Sequence, residues 1–148
     1  MTRGLRALPI LLLVAACSTA PAGHASFGAS ARLVAHADDL AEQGQAQEAS
    51  RVYERVLREY PADPAAAAAL YGLGRLQTAP ASPLRNYRAA HATFSRLLSE
   101  YPRSRWEREA RAWRAVLGDL LAREEESTRL RSQIERLRRT DLDLELRH

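Results

Sequence analysis

Hydrophobic residues recur along the middle of the chain at steps of four and three, with arginine, glutamate and other polar residues between them. Those steps place the apolar side chains on one stripe of an α-helix, so the pattern predicts amphipathic helices. Two segments repeat the order of an alanine, an aromatic residue, an aliphatic residue and a Tyr-Pro end: Ala49, Tyr53, Val56 and Tyr60-Pro61, then Ala90, Phe94, Leu97 and Tyr101-Pro102. Each helix should stop at its proline, which disfavours helical geometry in the residue before it. A helix that repeats itself in this way is typical of a helical repeat array.

Residues between the stripes predict where the other helices begin and end. Gly44 lies in the predicted first turn, where a positive φ costs glycine nothing. Asp63 is a good N-cap and Pro64 suits a first helical position, so they should open a third helix that ends near Gln77. A fourth helix should span about residues 86–100.

The fifth helix is predicted to be long. Ser104 and Glu107 have capping-box spacing: the serine oxygen would accept an amide proton at the third helical position, and the glutamate would reach back. The apolar residues that it carries are Ala110, Trp113, Val116, Leu117, Leu120 and Leu121. Apart from Gly118 there is no helix breaker before Thr140, so one long helix or two nearly fused ones should follow. The predicted class is therefore all-α, a short array of helical hairpins with a long C-terminal helix.

The first 16 residues resemble a secretory signal peptide. Arg3 and Arg6 precede an uncharged run that is shorter than the roughly 20 apolar residues needed to span a bilayer. Cys17 is the only cysteine, so an internal disulfide is impossible. The segment 14–17, Val-Ala-Ala-Cys, resembles the lipobox of bacterial lipoproteins. The alternative is an ordinary signal peptide followed by a chance cysteine.

The lipobox resemblance implies cleavage before Cys17, a diacylglyceryl thioether on its sulfur and an acyl chain, such as palmitate, on the new terminus. Ser18 resembles the residue found there in lipoproteins sorted to the outer membrane. Several acyl chains attach a protein stably to a membrane, whereas one does not. Residues 17–29 are small, polar and uncharged, so they are predicted to form a flexible tether. The expected location is the periplasmic face of the outer membrane.

The charge of the chain does not point to nucleic acid. The formal net charge is +4, and two of the arginines lie in the predicted signal peptide. Every basic residue other than histidine is arginine, which either serves phosphate or carboxylate binding or reflects compositional bias. On composition alone we favour the bias.

The helical pattern resembles tetratricopeptide repeats. Three residue sets carry the resemblance, in two repeats and the first helix of a third: Leu33, Ala37, Leu40, Gly44, Ala49, Tyr53, Val56 and Pro61; Leu70, Leu73, Gly74, Ala90, Phe94, Leu97 and Pro102; Ala110, Trp113 and Ala115. The Tyr-Pro junctions are similar to the bacterial envelope subtype seen in BamD- and CpoB-like proteins. Residues 30–121 are the predicted repeat region, and residues 122–148 the extended helix and tail. His36 and Ala37 depart from the usual Leu-Gly pair.

The sequence offers no arrangement of catalytic or metal-binding residues. The four histidines lie far apart, and no His-x₃-His pair, cysteine cluster or Gly-rich phosphate loop occurs. Adjacent carboxylates such as Asp38 and Asp39 point different ways round a helix. We therefore expect a protein that is not an enzyme, with no cofactor, no metal and no small-molecule substrate.

The repeat resemblance implies a concave face, lined by the first helix of each pair, that binds peptides or partner helices. Mapped onto this chain, the face includes Val34, Asp38, Glu42, Tyr71, Arg75, Ala112, Val116 and Asp119. The predicted partner-binding residues there are Asp38, Tyr71, Arg75 and Asp119. Such an anionic and aromatic groove would accept a basic or extended peptide. Alternatively, the C-terminal helix fills the groove as a cap.

The C-terminal helix carries an interrupted heptad seam that includes Leu130, Ile134 and Leu137. We predict that this seam docks on a different envelope protein in preference to a second copy, although a homodimer is possible. The leading function is an outer-membrane-anchored periplasmic scaffold for envelope proteins. The alternatives are an accessory lipoprotein of a membrane sensor kinase, to which the end of this helix is weakly similar, and a non-catalytic regulator of cell-wall or outer-membrane assembly.

Overall fold

The computed structural model describes the backbone over residues 23–145 and the side chains over 28–140. This part of the chain forms five helices and no strand: α1 (Gly23–Glu42), α2 (Ala46–Glu59), α3 (Pro64–Thr78), α4 (Tyr87–Glu100) and α5 (Glu107–Glu145). Consecutive helices pack on one another, and α3 also contacts α1. The predicted fold class, an all-α array with a long C-terminal helix, is confirmed. Within these residues no helix is both long and apolar enough to cross a membrane.

The ends of α2, α3 and α4 confirm the local predictions. Asp63 caps α3 by accepting a 2.8 Å hydrogen bond from the Ala65 amide, and Asn86 caps α4 in the same way. The Tyr60 and Tyr101 amides donate to carbonyl oxygens of the last turns of α2 and α4, each at 2.9 Å. The two Tyr-Pro junctions therefore stop their helices by the same geometry. Gly44 has a φ of 77° between α1 and α2, the conformation that favours glycine.

The predicted tether is partly wrong. It was placed at residues 17–29, but α1 begins at Gly23, so the second half of that stretch is helical. Alanine favours a helix, and no proline occurs between Pro21 and Pro61 to interrupt one. Cys17 and the predicted signal peptide lie outside the residues that the structure describes.

The capping box predicted at Ser104 does not form. The segment 101–106 makes two successive turns, and the Glu107 amide donates to the backbone oxygen of Ser104 at 3.1 Å. The amide therefore bonds the backbone of Ser104 and not its side chain, whose hydroxyl oxygen is buried without a hydrogen-bond partner among the described residues. The helix starts at Glu107, two residues later than a serine cap at position 104 would require.

Two aromatic rings clamp α3 between its neighbours. Tyr53 of α2 lies against Gly72, and Phe94 of α4 lies against Gly74; both rings are fully buried. A methyl group at Gly74 would come within 2.5 Å of the Phe94 ring, and one at Gly72 would meet Tyr53 as closely. The two glycines therefore let α3 belong to two apolar clusters, one with α1 and α2 and the other with α4 and α5.

The long helix α5 packs on α4 for only part of its length. Ala110 and Leu117 are buried in the second cluster, and Glu125 pairs with Arg88 at 3.3 Å beside the start of α4. Every side chain from 128 to 140 is exposed. At 1.5 Å per residue the 39 residues of α5 span about 58 Å, so its second half projects from the repeats.

The apolar residues of α5 divide between buried and exposed positions. Trp113 is 36% exposed, Val116 59% and Leu120 38%. Ala110 and Leu117 are the ones buried in the cluster that α5 shares with α4. Periodicity identified an apolar face without indicating what covers it.

Candidate partner-binding groove

A groove of about 1040 Å³ runs between α1, α3 and the loop 100–106. Its walls are mainly small side chains, and six are alanines: Ala31, Ala35, Ala62, Ala65, Ala67 and Ala68. Val34, Pro64 and Pro102 add larger apolar surface. The alanine run at the start of α3 explains the shape, because side chains of one carbon leave space between helices that larger residues would fill. A groove of this kind brings the backbone of a bound chain close to the helices.

Aromatic stacking builds one end of the groove. The Trp106 ring lies parallel to the Tyr71 ring, with centroids 4.2 Å apart and planes 10° apart. The Arg105 guanidinium sits 4.4 Å from the centroid of the Trp106 ring, a cation–π contact. Tyr71 also meets Phe94 at a tilt, with centroids 6.1 Å apart. The groove wall is thus continuous with the second apolar cluster.

The two Tyr-Pro junctions are tied together beside the groove. The Tyr101 hydroxyl donates a 2.7 Å hydrogen bond to the backbone oxygen of Pro61. Burial raises the pKa of Tyr101, so the phenol keeps its proton and remains a donor at neutral pH. This bond fixes the loop after α4 relative to the loop after α2, and so sets the width of the groove at that end.

Charges of both signs border the groove. Asp38 lies on the α1 side, while Arg103 and Arg105 lie on the loop side. Glu100 also lies on the loop side, and its carboxylate pairs with Arg96 at 2.7 Å. Asp63 also lines the groove, but its carboxylate caps α3. The predicted groove was anionic and aromatic. The aromatic part is present in Trp106, and the charge is mixed because the loop 100–106 contributes two guanidinium groups to the same surface.

Asp38 lines the groove and also accepts a hydrogen bond from a residue of the core. The residue is exposed, and its carboxylate accepts a 2.5 Å hydrogen bond from the Tyr53 hydroxyl. Burial of the ring and this hydrogen bond raise the pKa of Tyr53. A ligand that pairs with Asp38 would therefore act on a carboxylate that the core already orients.

The other predicted groove residues do not gather at one site. Tyr71 is half-buried beneath Trp106, where it supports the groove wall. Arg75, further along α3, and Asp119 on α5 are exposed but do not line the groove. Val34 does line it. The mapping missed Trp106, Arg103 and Arg105; the Tyr-Pro-x-Ser junction next to them was the available signal, since it places this loop beside the first helices.

The C-terminal half of α5 does not occupy the groove. Leu130, Ile134 and Leu137 are exposed, at 46%, 51% and 64%. None of them lines the groove beside α1. The alternative in which this helix caps the concave face is therefore not what the structure has.

The family model of the tetratricopeptide repeat matches residues 33–63, which run from α1 through α2 to the cap of α3. This stretch is a tetratricopeptide-like repeat. The second hairpin, α3 with α4, repeats its aromatic ring, its small facing residue and its Tyr-Pro end. Repeats of this kind form scaffolds for protein–protein interaction and are typically not catalytic. No curated protein and no solved structure gives a significant match to the chain.

Proposed function

We propose that this protein is a lipid-anchored scaffold on the periplasmic face of the outer membrane, and that its groove holds an extended segment of another envelope protein. The observation that carries the proposal is the groove between α1, α3 and the loop 100–106. Its apolar floor faces outward on a repeat fold of the interaction type. Pockets that bind ligands are typically about 300–1,000 Å³ and mainly apolar with a few placed polar groups, which fits this one.

The chemistry of the groove favours an extended peptide over a packed helix. Alanines along the floor admit a peptide backbone to close range, while Trp106 offers one flat apolar surface. Asp38 at one side would pair with a basic side chain, and Arg103 and Arg105 at the other with acidic ones. A segment with a basic and an acidic end separated by small or apolar residues matches this order of charges.

The anchor in this proposal is Cys17, which lies in the lipobox-like segment. Lipid chains on that residue would hold the repeats at the membrane surface, where two or more chains give stable attachment. Replacing Cys17 by alanine should release the exported protein from the membrane fraction or leave it unprocessed. Intact-mass measurement of the membrane form checks the lipid directly. An unmodified Cys17 with the first 16 residues still attached would contradict the anchor without touching the groove.

The groove itself is tested by photocrosslinking in native cells. A photoreactive amino acid at Ala35, an exposed groove residue, should capture a segment of an envelope protein that mass spectrometry can identify. The matched control is Ala92, an exposed alanine of α4 that does not line the groove. Equal products from both positions, or none from Ala35, would refute the groove as the binding site.

A further inference from the structure

The large apolar side chains that stay exposed all lie on one line along α5. Within the part of the chain whose side chains are described, there are six of them: Trp113, Val116, Leu120, Leu130, Ile134 and Leu137. Together with Arg123 and Ser127 they follow alternating steps of three and four residues. Such steps keep side chains on one face of a helix, as in the a and d positions of a coiled coil. We refer to these eight residues as the seam.

After Trp113, no seam residue belongs to either apolar cluster of the described residues. Trp113 stacks on Phe94 of α4, with centroids 6.0 Å apart, and the seam then runs away from the repeats. A shallow groove of about 520 Å³ follows it from Ala122 to Ile134. The helices α1 and α3 each pack on a following helix. The corresponding face of α5 is open, and an apolar face of this length calls for an occupant.

The order of residues along the seam identifies that occupant, because the seam reads the same in both directions. Three apolar positions, two polar positions and three apolar positions follow one another, symmetrically about residue 125. We propose that a second copy of this chain covers the seam, with the two α5 helices antiparallel about a twofold axis near Glu125. The layers would pair Trp113 with Leu137, Val116 with Ile134, Leu120 with Leu130 and Arg123 with Ser127 of the second copy. Every layer joins an a position to a d position, as antiparallel packing of two seams requires.

Charge at the centre of the seam favours this direction. In the antiparallel arrangement Arg123 lies opposite Ser127 of the second copy, with Glu126 of that copy one residue away. A guanidinium can reach such a carboxylate while its stem stays on the apolar surface. In a parallel, in-register pair, Arg123 would face Arg123 across the seam, which places two like charges in one layer. If the partner were a different protein, nothing would require the apolar and polar positions of the seam to follow the same order in both directions.

The antiparallel arrangement also completes the repeat design. Here α1 pairs with α2 and α3 pairs with α4, each through a short connection that makes the two helices antiparallel. The second copy's α5 would take the position of a second helix for α5, and the twofold axis would make the contact reciprocal. The sequence alone favoured a different protein on this helix. That preference rested on the polar positions that interrupt the seam, which was considered only from Leu120 onward.

Sedimentation equilibrium of the full chain carrying Cys17→Ala, in density-matched detergent, measures the dimer. We expect a twofold mass and a dissociation constant that rises at least tenfold in Ile134→Glu, which places a carboxylate in two apolar layers. Ser132→Glu is the matched control, since it adds the same charge on the opposite face of the same turn and should leave the constant unchanged. Both variants should keep the parent helicity by circular dichroism, because both positions are exposed. The proposal would be overturned if the parent were still a monomer at about 100 micromolar, a concentration on the order of the weakest useful self-association. It would also be overturned if both variants changed the dissociation constant equally.

Crosslinking tests the direction of the helices. With Cys17→Ala the chain has no cysteine, so single ones can be introduced. Chains carrying Val116→Cys mixed with chains carrying Ile134→Cys should join through a short bismaleimide, and Ile134→Cys alone should not. In a parallel pair the first two positions would lie about 27 Å apart along the helix, at 1.5 Å per residue, and Ile134→Cys alone would crosslink. That second pattern would refute the antiparallel dimer.

Discussion

The Tyr53 phenol donates a 2.5 Å hydrogen bond to the carboxylate of Asp38, which joins the core of the first repeat to the edge of its groove. The ring is 1% exposed and lies against Gly72 of α3, while Asp38 faces solvent. A single side chain thus fills the space between α1, α2 and α3 and orients an acidic group on the surface that we propose for binding.

Removing this hydrogen bond should cost stability in a coupled way. Tyr53→Phe keeps the ring and removes the donor, so we expect the free energy of unfolding to fall by about 1–2 kcal/mol. This is somewhat less than a buried hydrogen bond to a charged group contributes, because Asp38 is exposed. Asp38→Ala should cost a similar amount, and the double variant little more than either. Urea unfolding of the four proteins measures the coupling. Tyr60→Phe, at a half-buried tyrosine, is the control; purely additive losses would contradict the bond as a stabilising contact.

The same tyrosine should make the fold sensitive to alkaline pH. Burial and the bond to Asp38 raise the pKa of Tyr53 above its ordinary value of about 10. Below pH 10 both the folded and the unfolded chain hold the proton. Above it the unfolded chain releases the proton while the folded chain keeps it, so the free energy of unfolding falls as pH rises. No lysine titrates in that range.

Melting temperatures between pH 8 and pH 11, a range set around the ordinary tyrosine pKa of about 10, measure this effect. The parent should lose stability more steeply than Tyr53→Phe. Tyr101, whose pKa burial also raises, remains in both proteins, so part of the slope should persist in the variant. Identical slopes would mean that Tyr53 does not hold its proton more tightly in the folded state.

The glycines of α3 should tolerate no methyl group. Gly74→Ala places a Cβ 2.5 Å from the Phe94 ring, and Gly72→Ala meets Tyr53 in the same way. Each should destabilise the fold by about 1–3 kcal/mol, as overpacked cores do. Gly28→Ala in α1 is the matched control, because nothing lies within 4 Å of its Cβ position; it should stabilise by up to about 1 kcal/mol through helix propensity. Thermal melts measure the three variants. If Gly28→Ala lowered the melting temperature as much as Gly72→Ala and Gly74→Ala do, the rings would not be packed as described.

Features that depend on neighbouring residues were predictable from the sequence. Residues within one helical turn were enough to predict three of them: the stripe positions of Tyr53 and Phe94, the cap at Asp63 and the turn at Gly44. Contacts between distant segments were not. Tyr71 was assigned to the groove surface, yet it lies under Trp106, 35 positions later, and no periodicity links the two residues.

The same limit explains the errors in α5 and at the groove. An apolar stripe does not show whether a neighbour of the same chain covers it, and Val116, which was placed on the concave face, is exposed on α5 and does not line the groove. The mixed charge of the groove arises because the loop 100–106 folds back beside α1, which brings Arg103 to the surface that carries Asp38. The predicted anionic surface came from first helices alone.

Partner capture by a variant whose groove is filled shows whether the groove binds the envelope protein. Ala35→Trp puts a large ring into the groove from an exposed position, and Ala92→Trp puts the same ring on α4 away from it. The measurement is the amount of the envelope protein, identified by crosslinking from Ala35, that co-purifies with each full chain from native membranes. We predict at least a tenfold loss for Ala35→Trp and none for Ala92→Trp, with both proteins melting like the parent. Undiminished capture by a folded Ala35→Trp would contradict the account.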